Sequence, residues 1–286
     1  MKQAFIATLL FCFFYSLQIV FQQVFVRSHI QPLHLNFLSY LLATIILTVY
    51  FLFFNKKNLV LLPDKKVSSF FLLALMGWIL ADFFAVYGLK FSSSTNYSIL
   101  SRLMVFVVYL LSIFFLKEKI NPNKTIASII SVIGGFLVIY NFKNTFKINI
   151  GDLFFLGTVF TQSISSITRQ KVTKHMSSLQ LTYLMFFYAT IILGVITYFF
   201  NPITIMPPLV VIVFNSVVAL VGFSLVNYAI QKGGAVFFTL VASLLPVFTA
   251  FFSFLILKQS PFITQIIGGL LIISSIFLFQ RKRSLP

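Results

Sequence analysis

The chain has 286 residues, of which 59% are hydrophobic and 18% aromatic, while only 9% are charged. A soluble globular domain has about 25% charged residues, so this composition excludes a water-covered surface and predicts an integral membrane protein. The 21 Lys and Arg residues outnumber the 4 Asp and Glu residues, but too little polar surface remains for a nucleic-acid-binding face. The single cysteine, Cys12, excludes an intramolecular disulfide and a cysteine-based zinc site.

About ten apolar stretches follow one another along the chain, each near the 20 residues that a helix needs to cross the hydrocarbon core. In chain order they cover about 4–26, the stretch from after Pro32 to the Asn55-Lys56-Lys57 cluster, 68–91, 95–116, 124–140, 151–170, 179–200, 207–230, 234–257 and 262–279. The first stretch is too long and too rich in glutamine for a signal peptide, and the connectors leave no room for a soluble domain. The predicted fold class is an all-α integral membrane protein with ten transmembrane helices.

The basic residues predict the orientation of these helices. With both termini on one side, about fifteen Lys and Arg residues fall in the loops of that side, Arg169 among them, and about five on the other. Only Arg102 remains inside a span. We therefore expect both termini in the cytoplasm, with the protein in a prokaryotic cytoplasmic (inner) membrane.

An internal repeat divides the chain. Residues 87–140 align without gaps on residues 228–281, with Tyr87 on Tyr228, Ser112 on Ser253, and Leu116-Lys117 on Leu257-Lys258. An odd number of spans leaves the chain on the opposite side, so two five-helix halves, 1–145 and 146–286, are expected to have inverted topology. Inverted repeats are a common construction of secondary transporters, whose substrate site lies near the midplane between the halves.

The repeated motifs also carry a family resemblance. Tyr87-Gly88-Leu89-Lys90, the stretch 93–101 and Phe115-Leu116-Lys117-Glu118 recur as Tyr228-Ala229-Ile230, the stretch 235–245 with Pro246, and Leu257-Lys258-Gln259. With these motifs the chain resembles the EamA-type, ten-helix branch of the drug/metabolite transporter superfamily. The family's helix proline is present at Pro246 but replaced by Val105 in the first half, and Gln259 stands where the pattern has an acid. The resemblance implies a central cavity lined mainly by helices one, three, four, six, eight and nine.

Asp82 is the one acid predicted inside a span, and intramembrane ions are usually functional. Asp82 precedes the turn at Ser92 by about ten residues and Arg102 follows it by about the same number, so a helical hairpin places both at similar depth. We expect an Asp82–Arg102 ion pair. It either locks helices three and four together or borders the substrate cavity. In the second case Arg102 attracts a carboxylate or phosphate, and Asp82 serves as counter-ion, ammonium partner or proton-coupling site.

Other polar side chains share helical faces. Such residues either form interhelical hydrogen bonds, worth about 0.6 kcal/mol each, or line a substrate pathway. The candidate substrate-binding or coupling residues are Asp82, Arg102, Tyr15, Gln18, Gln22, Gln162, Ser166, Asn227 and Ser243. In helix six, the polar face that contains Gln162 and Ser166 continues to Arg169. Gly134-Gly135 and Gly268-Gly269 instead predict close helix packing.

The predicted function is secondary transport of small organic metabolites, chiefly amino acids or related compounds, by alternating access between the two repeats. A GxxxxGK[ST] loop for ATP is missing from the sequence, which favours secondary or facilitative transport, with the proton as candidate coupling ion. The alternatives are a lipid or lipid-linked sugar flippase of the same fold and, less favoured, an intramembrane enzyme or a scaffold. Acid–base catalysis usually needs two positioned titratable groups, and only Asp82 lies at depth. The expected partners are a small-molecule substrate and the bilayer, with no cofactor, metal or nucleic acid.

Overall fold

The computed structural model describes residues 1–25, 32–56, 59–92, 94–139, 149–200, 206–258 and 263–280, which contain twelve helices and no strand. The helices are α1 (Lys2–Phe25), α2 (Pro32–Phe54), α3 (Ser68–Phe91), α4 (Ser94–Ser101), α5 (Met104–Phe115), α6 (Pro122–Ile139), α7 (Ile150–Val172), α8 (Ser178–Phe200), α9 (Leu209–Gly233), α10 (Ala235–Ala242), α11 (Leu245–Leu257) and α12 (Ile263–Gln280). The short pairs α4/α5 and α10/α11 each form one interrupted span, so the described helices correspond to the ten predicted spans. Seven stretches of the described chain are long and apolar enough to cross a membrane.

Large apolar side chains cover the outside of the bundle. Phe54, Phe114 and Val210 are 79%, 75% and 75% exposed. A soluble monomer rarely exposes apolar patches larger than a few hundred Å², so these side chains face lipid. The prediction of an all-α integral membrane protein is confirmed.

The two halves pack through equivalent contacts. Helix α1 packs against α9 and α10/α11, and α7, its counterpart in the second half, packs against α3 and α4/α5. Helix α2 packs against its counterpart α8, and α6 against its counterpart α12. The prediction of two five-helix repeats is therefore confirmed, although the expected boundary at 145/146 falls outside the described ranges.

The fourth and ninth spans break at equivalent positions. Arg102 and Leu103 separate α4 from α5, and Ser243 and Leu244 separate α10 from α11. In the ninth span, Pro246 lacks the backbone N–H that would continue the helical hydrogen bonding across the break. The first half has Val105 there, yet its backbone tightens in the same way, with the Val105 N–H donating to the Arg102 carbonyl at 3.3 Å. The break is thus a property of both repeats and does not require proline.

Both broken spans also end alike. Lys117 and Lys258 each have φ of 55°, and they are the only non-glycine residues with positive φ in the described chain. The shared Leu-Lys motif therefore marks a left-handed residue that stops the helix.

Helices α6 and α12 cross at glycine. A Cβ atom at Gly134 would lie 2.8 Å from the Gly268 carbonyl oxygen and 3.0 Å from the Leu271 side chain. Only glycine permits this approach, so the predicted close packing of the glycine pairs is confirmed.

The helix ends define two sides of the bundle. Met1 and Gln280 line the same groove, so α1 begins and α12 ends on one side, called here the termini side. A Cβ atom at Gly233 would lie 2.6 Å from the Cβ atom of Ala4, so α9 ends near the start of α1. Helix α7 ends on this side too. Its Gln170 Oε1 accepts a 2.7 Å hydrogen bond from the Ala235 N–H at the start of α10, beside Gly234 with φ of 84°.

Candidate functional site

Asp82 lies within α3, and its carboxylate faces the interior of the bundle. The residue is half-buried, and it accepts a 3.4 Å hydrogen bond from the Tyr40 hydroxyl of α2. Asp82 also interacts electrostatically with Tyr15 of α1 and Tyr97 of α4. Tyrosines of three helices therefore lie close enough to interact with this one acid, and Tyr40 is the one that bonds to it.

Asp152, at the start of α7, is an acid with a structural role, and it accepts more hydrogen bonds than Asp82. It accepts hydrogen bonds from Ser92 Oγ at 2.6 Å, from Asn96 Nδ2 at 3.0 Å and from the Asn149 N–H at 2.9 Å. These bonds form the capping box of α7 and tie it to the α3–α4 turn. Asp82 has the Tyr40 bond as its single hydrogen bond within the described residues, so its carboxylate keeps accepting capacity for a ligand.

The expected ion pair between Asp82 and Arg102 is wrong. Arg102 Nη2 donates to Ser101 Oγ at 3.1 Å, and a Cβ atom at Gly135 of α6 would lie 2.7 Å from Arg102 Cδ. The one ion pair among the described residues is Lys124–Glu118 at 2.8 Å. The break between α4 and α5 directs Arg102 toward α6, while Asp82 faces α2, so similar depth does not bring the two side chains together.

The cation that acts on Asp82 is Arg169 of α7, which also interacts electrostatically with Tyr40. The prediction that Arg169 is a loop charge is wrong, because the residue is only 1% exposed. Its guanidinium carbon lies 5.1 Å from the centroid of the Phe223 ring. The Nε and Nη2 atoms have no hydrogen-bond partner in the described part of the chain.

The register of α3 and α7 shows that Asp82 and Arg169 lie at different depths in the bundle. Ser165 Oγ donates to the Ala74 carbonyl at 2.6 Å, and Thr158 Oγ1 to the Ala81 carbonyl at 3.4 Å. Asp82, next to Ala81, is therefore near the level of Thr158, whereas Arg169 belongs to the end of α7 on the termini side.

Four rings lie between Asp82 and Arg169. We call Tyr40, Trp78, Phe186 and Phe223 the aromatic box. Trp78 lies 4.4 Å from Phe223 and 5.0 Å from Tyr40, and Phe186 stacks on Tyr40 at 5.2 Å with an interplanar angle of 12°. The box joins α2, α3, α8 and α9, with Asp82 bonded at Tyr40 and Arg169 packed on Phe223.

Gln18 connects the two repeats. Its Nε2 donates to Asn215 Oδ1 of α9 at 2.5 Å, and its buried Oε1 has no partner among the described atoms. Asn227, also on α9, donates from Nδ2 to Thr182 Oγ1 of α8 at 2.9 Å. Its buried Oδ1 likewise lacks a partner in the described part of the chain. Both amides therefore retain an unused acceptor inside the bundle.

Ser166 and Ser243 bond mainly to nearby backbone. Ser166 Oγ donates to the Gln162 carbonyl at 3.0 Å. Ser243 Oγ donates to the Leu240 carbonyl and accepts from Ser131 Oγ of α6 at 2.8 Å. Ser243 thus helps to satisfy the backbone at the α10–α11 break.

The remaining candidates lie on α1 and α7. Tyr15 is 41% exposed and stacks on Phe11 at 5.3 Å. Gln162 is half-buried on α7. Gln22 belongs to α1, but its side chain lies outside the described part of the chain. Of the predicted residues, Tyr15 and Asp82 interact electrostatically with each other.

Sequence reasoning missed Tyr40 and the inward direction of Arg169. The available signal was the continuation of the helix-six stripe through Gln162 and Ser166 to Arg169, which shares a helical face with them.

Comparisons with known proteins agree with this architecture. The EamA-like transporter family matches the chain twice, over residues 2–140 and 149–281. An uncharacterized transporter of Archaeoglobus fulgidus is 26% identical over 264 residues, which cover 90% of each chain. The uncharacterized transporter YetK of Bacillus subtilis is 23% identical over 260 residues, covering 87% of this chain and 78% of that protein. A crystal structure of another protein superposes with a TM-score of 0.82 over 98% of this chain and 97% of that one, at 12% identity, which supports the fold alone.

Proposed function

The chain belongs to the EamA-like transporter family, and on this premise we propose that it carries small organic metabolites, namely amino acids or related compounds, by alternating access. It is a membrane transporter that meets its substrate and lipid within the bilayer. The absence of an ATP-binding loop in the sequence favours secondary transport.

The observation that carries this proposal is Asp82. It is an acid in mid-span that remains half-buried and has one hydrogen bond from the described residues. An intramembrane carboxylate is costly unless it is paired or reaches water, so its presence at this position favours a role with a polar ligand. Its electrostatic neighbours include Tyr15 in the first repeat and Arg169 in the second, which suits a site between moving halves.

The proposed substrate contact is an ammonium group at the Asp82 carboxylate. An ammonium donates three hydrogen bonds and the carboxylate accepts several. The same carboxylate is the candidate site for a coupling proton. The two equivalent breaks, at Arg102 and at Ser243, are the proposed hinges because each lies between two short helices of one span.

We also propose that the termini side faces the cytoplasm of a prokaryotic cell. Lys2 lies on that side, beside Met1 and Gln280. Most basic residues are predicted in the loops of the same side, and cytoplasmic loops of membrane proteins carry an excess of Lys and Arg.

Flux in proteoliposomes tests the proposal. Purified protein would be reconstituted and offered labelled amino acids, other small organic metabolites and dyes, with and without a proton gradient. We expect uptake of at least one amino acid, and loss of that uptake in Asp82→Asn. Asp64→Asn, which changes an exposed loop acid, is the matched control. Folded protein that moves none of these solutes would contradict the proposal.

One observation favours the second candidate, lipid or lipid-linked sugar translocation. A groove of about 600 Å³ lies between α1, α11 and α12. Its lining is almost wholly apolar, including Leu9, Val247 and Phe277, with Lys2 at its end. It fits an acyl chain, but neither Asp82 nor Arg169 lines it. A scrambling assay with fluorescent phospholipids in the same proteoliposomes distinguishes the two functions.

A further inference from the structure

Arg169 is the largest fully buried side chain in the described protein, and its charge is incompletely satisfied. Nε and Nη2 are both buried, and neither has a hydrogen-bond acceptor among the residues that the structure describes. Burying an ionised donor without a partner is strongly unfavourable. The contact with the Phe223 face, at 5.1 Å, offsets part of this cost but supplies no acceptor.

The position of Arg169 makes its burial informative. Helix α7 ends at Val172, so a long side chain three residues earlier could extend its head group to water on the termini side. Lys171 of the same helix turn instead lies over the Phe70 ring at 4.2 Å and remains half-buried. Arg169 points into the bundle toward Phe223, which places its charge against the aromatic box.

The geometry of these two donor atoms indicates which kind of acceptor they fit. Nε–H and one Nη2–H lie on the same edge of the planar guanidinium group, and a carboxylate accepts from two such parallel donors at once. A water molecule or a single carbonyl oxygen matches this edge less well, because it presents one acceptor atom.

We propose that Arg169 binds the carboxylate of the transported substrate on the termini side of the aromatic box. The inference rests on the proposed transport function and restricts its substrates to compounds with a free carboxylate. Each carboxylate oxygen accepts one hydrogen bond, from Nε and from Nη2.

Binding at Arg169 requires the aromatic box to open. In this conformation Phe223 packs on Arg169 and lies 4.4 Å from Trp78. A substrate that arrives from the side of Asp82 therefore meets the rings before it meets the guanidinium group. We expect displacement of Phe223 from Trp78 to give a carboxylate access to the guanidinium group, so carboxylate binding stabilises the opened box.

Trp78 is a built-in reporter of this event, because the chain has a single tryptophan. We would titrate purified protein in nanodiscs with L-alanine, L-leucine and L-phenylalanine, and separately with the carboxamide of each, while recording Trp78 fluorescence. We expect a saturable change with at least one acid and none with its amide.

Variants assign the effect to Arg169. Arg169→Gln should weaken the response about tenfold or more, because two charge-assisted hydrogen bonds are lost. Arg169→Lys keeps the charge without the planar fork and should give an intermediate response. Lys171→Gln removes a neighbouring cation of the same helix and should respond as wild type. Thermal denaturation and size-exclusion chromatography confirm that each variant is folded.

Three outcomes would overturn the inference: no response to any of the acids, equal responses to acid and amide, or an equal response in folded Arg169→Gln. Flux measurements separate it from the transport proposal. Acid-specific fluorescence changes without flux would support the Arg169 site and contradict transport. Flux that persists unchanged in Arg169→Gln would support transport and contradict the Arg169 site.

Discussion

The Tyr40 hydroxyl donates to the Asp82 carboxylate at 3.4 Å, while the Tyr40 ring stacks on Phe186 at 5.2 Å. One side chain therefore belongs both to the acid that we assign to substrate binding and to the aromatic box. Its two roles can be separated, because phenylalanine keeps the ring and lacks the hydroxyl.

Tyr40→Phe should reduce transport several-fold and leave stability nearly unchanged. The lost hydrogen bond is long, and interhelical bonds in membrane proteins average about 0.6 kcal/mol. Initial uptake rates in proteoliposomes and the thermal denaturation midpoint are the two measurements. Tyr50→Phe, at a half-exposed position farther along α2, is the control. A large fall in the midpoint would show that Tyr40 acts mainly in folding.

Asp152→Ala should show the opposite pattern. The change removes the acceptor of Ser92, Asn96 and the Asn149 N–H, and loss of helix capping costs about 0.5–2 kcal/mol. We expect a lower denaturation midpoint with transport retained per folded molecule. Asp64→Ala serves as the control. An unchanged denaturation midpoint together with loss of transport would contradict this and indicate that Asp152 acts in the functional site.

Gly134→Ala should destabilise the bundle by about 1–3 kcal/mol, the usual cost of overpacking. The new Cβ atom would meet the Gly268 carbonyl oxygen at 2.8 Å, and backbone cannot move aside as a side-chain end can. Chemical denaturation in detergent measures the effect. Gly222→Ala is the matched control, since its Cβ atom would lie 3.7 Å from Phe11 Cδ2, an ordinary contact. Equal stability of the two variants would refute the close crossing.

Lys117→Gly should stabilise the protein by about 1 kcal/mol, because a left-handed conformation costs an L-residue roughly 1–2 kcal/mol and glycine little. Lys258→Gly should do the same, since both positions have φ of 55°. Lys119→Gly removes an equal charge at a residue without positive φ and should give no gain. Destabilisation by both substitutions at the left-handed positions would indicate that the lysine side chains contribute more than the backbone strain costs.

The helix order and the repeat were predictable because hydrophobic length and motif spacing report them directly. The motif Leu116-Lys117 recurs at Leu257-Lys258, and both copies end their spans in the same backbone conformation. The break near Val105 could not be predicted from a proline, because only the second repeat has a proline at the equivalent position, Pro246.

The charged site was less predictable, since depth along a helix does not determine direction around it. Asp82 and Arg102 were expected at one level, but Arg102 extends toward Gly135. Arg169 stands among basic residues near a helix end, and this sequence position predicts a loop residue. Its burial follows from tertiary packing on Phe223, which sequence position does not report.

The hydrogen bond from the Ala235 N–H to Gln170 has a mechanical consequence. Gln170 follows Arg169 directly, and its side chain holds the first residue of α10 at 2.7 Å. This hydrogen bond therefore links the end of α7 to the start of the broken ninth span. We expect that a ligand that repositions Arg169 also shifts the first turn of α10, because the residue next to Arg169 holds that turn.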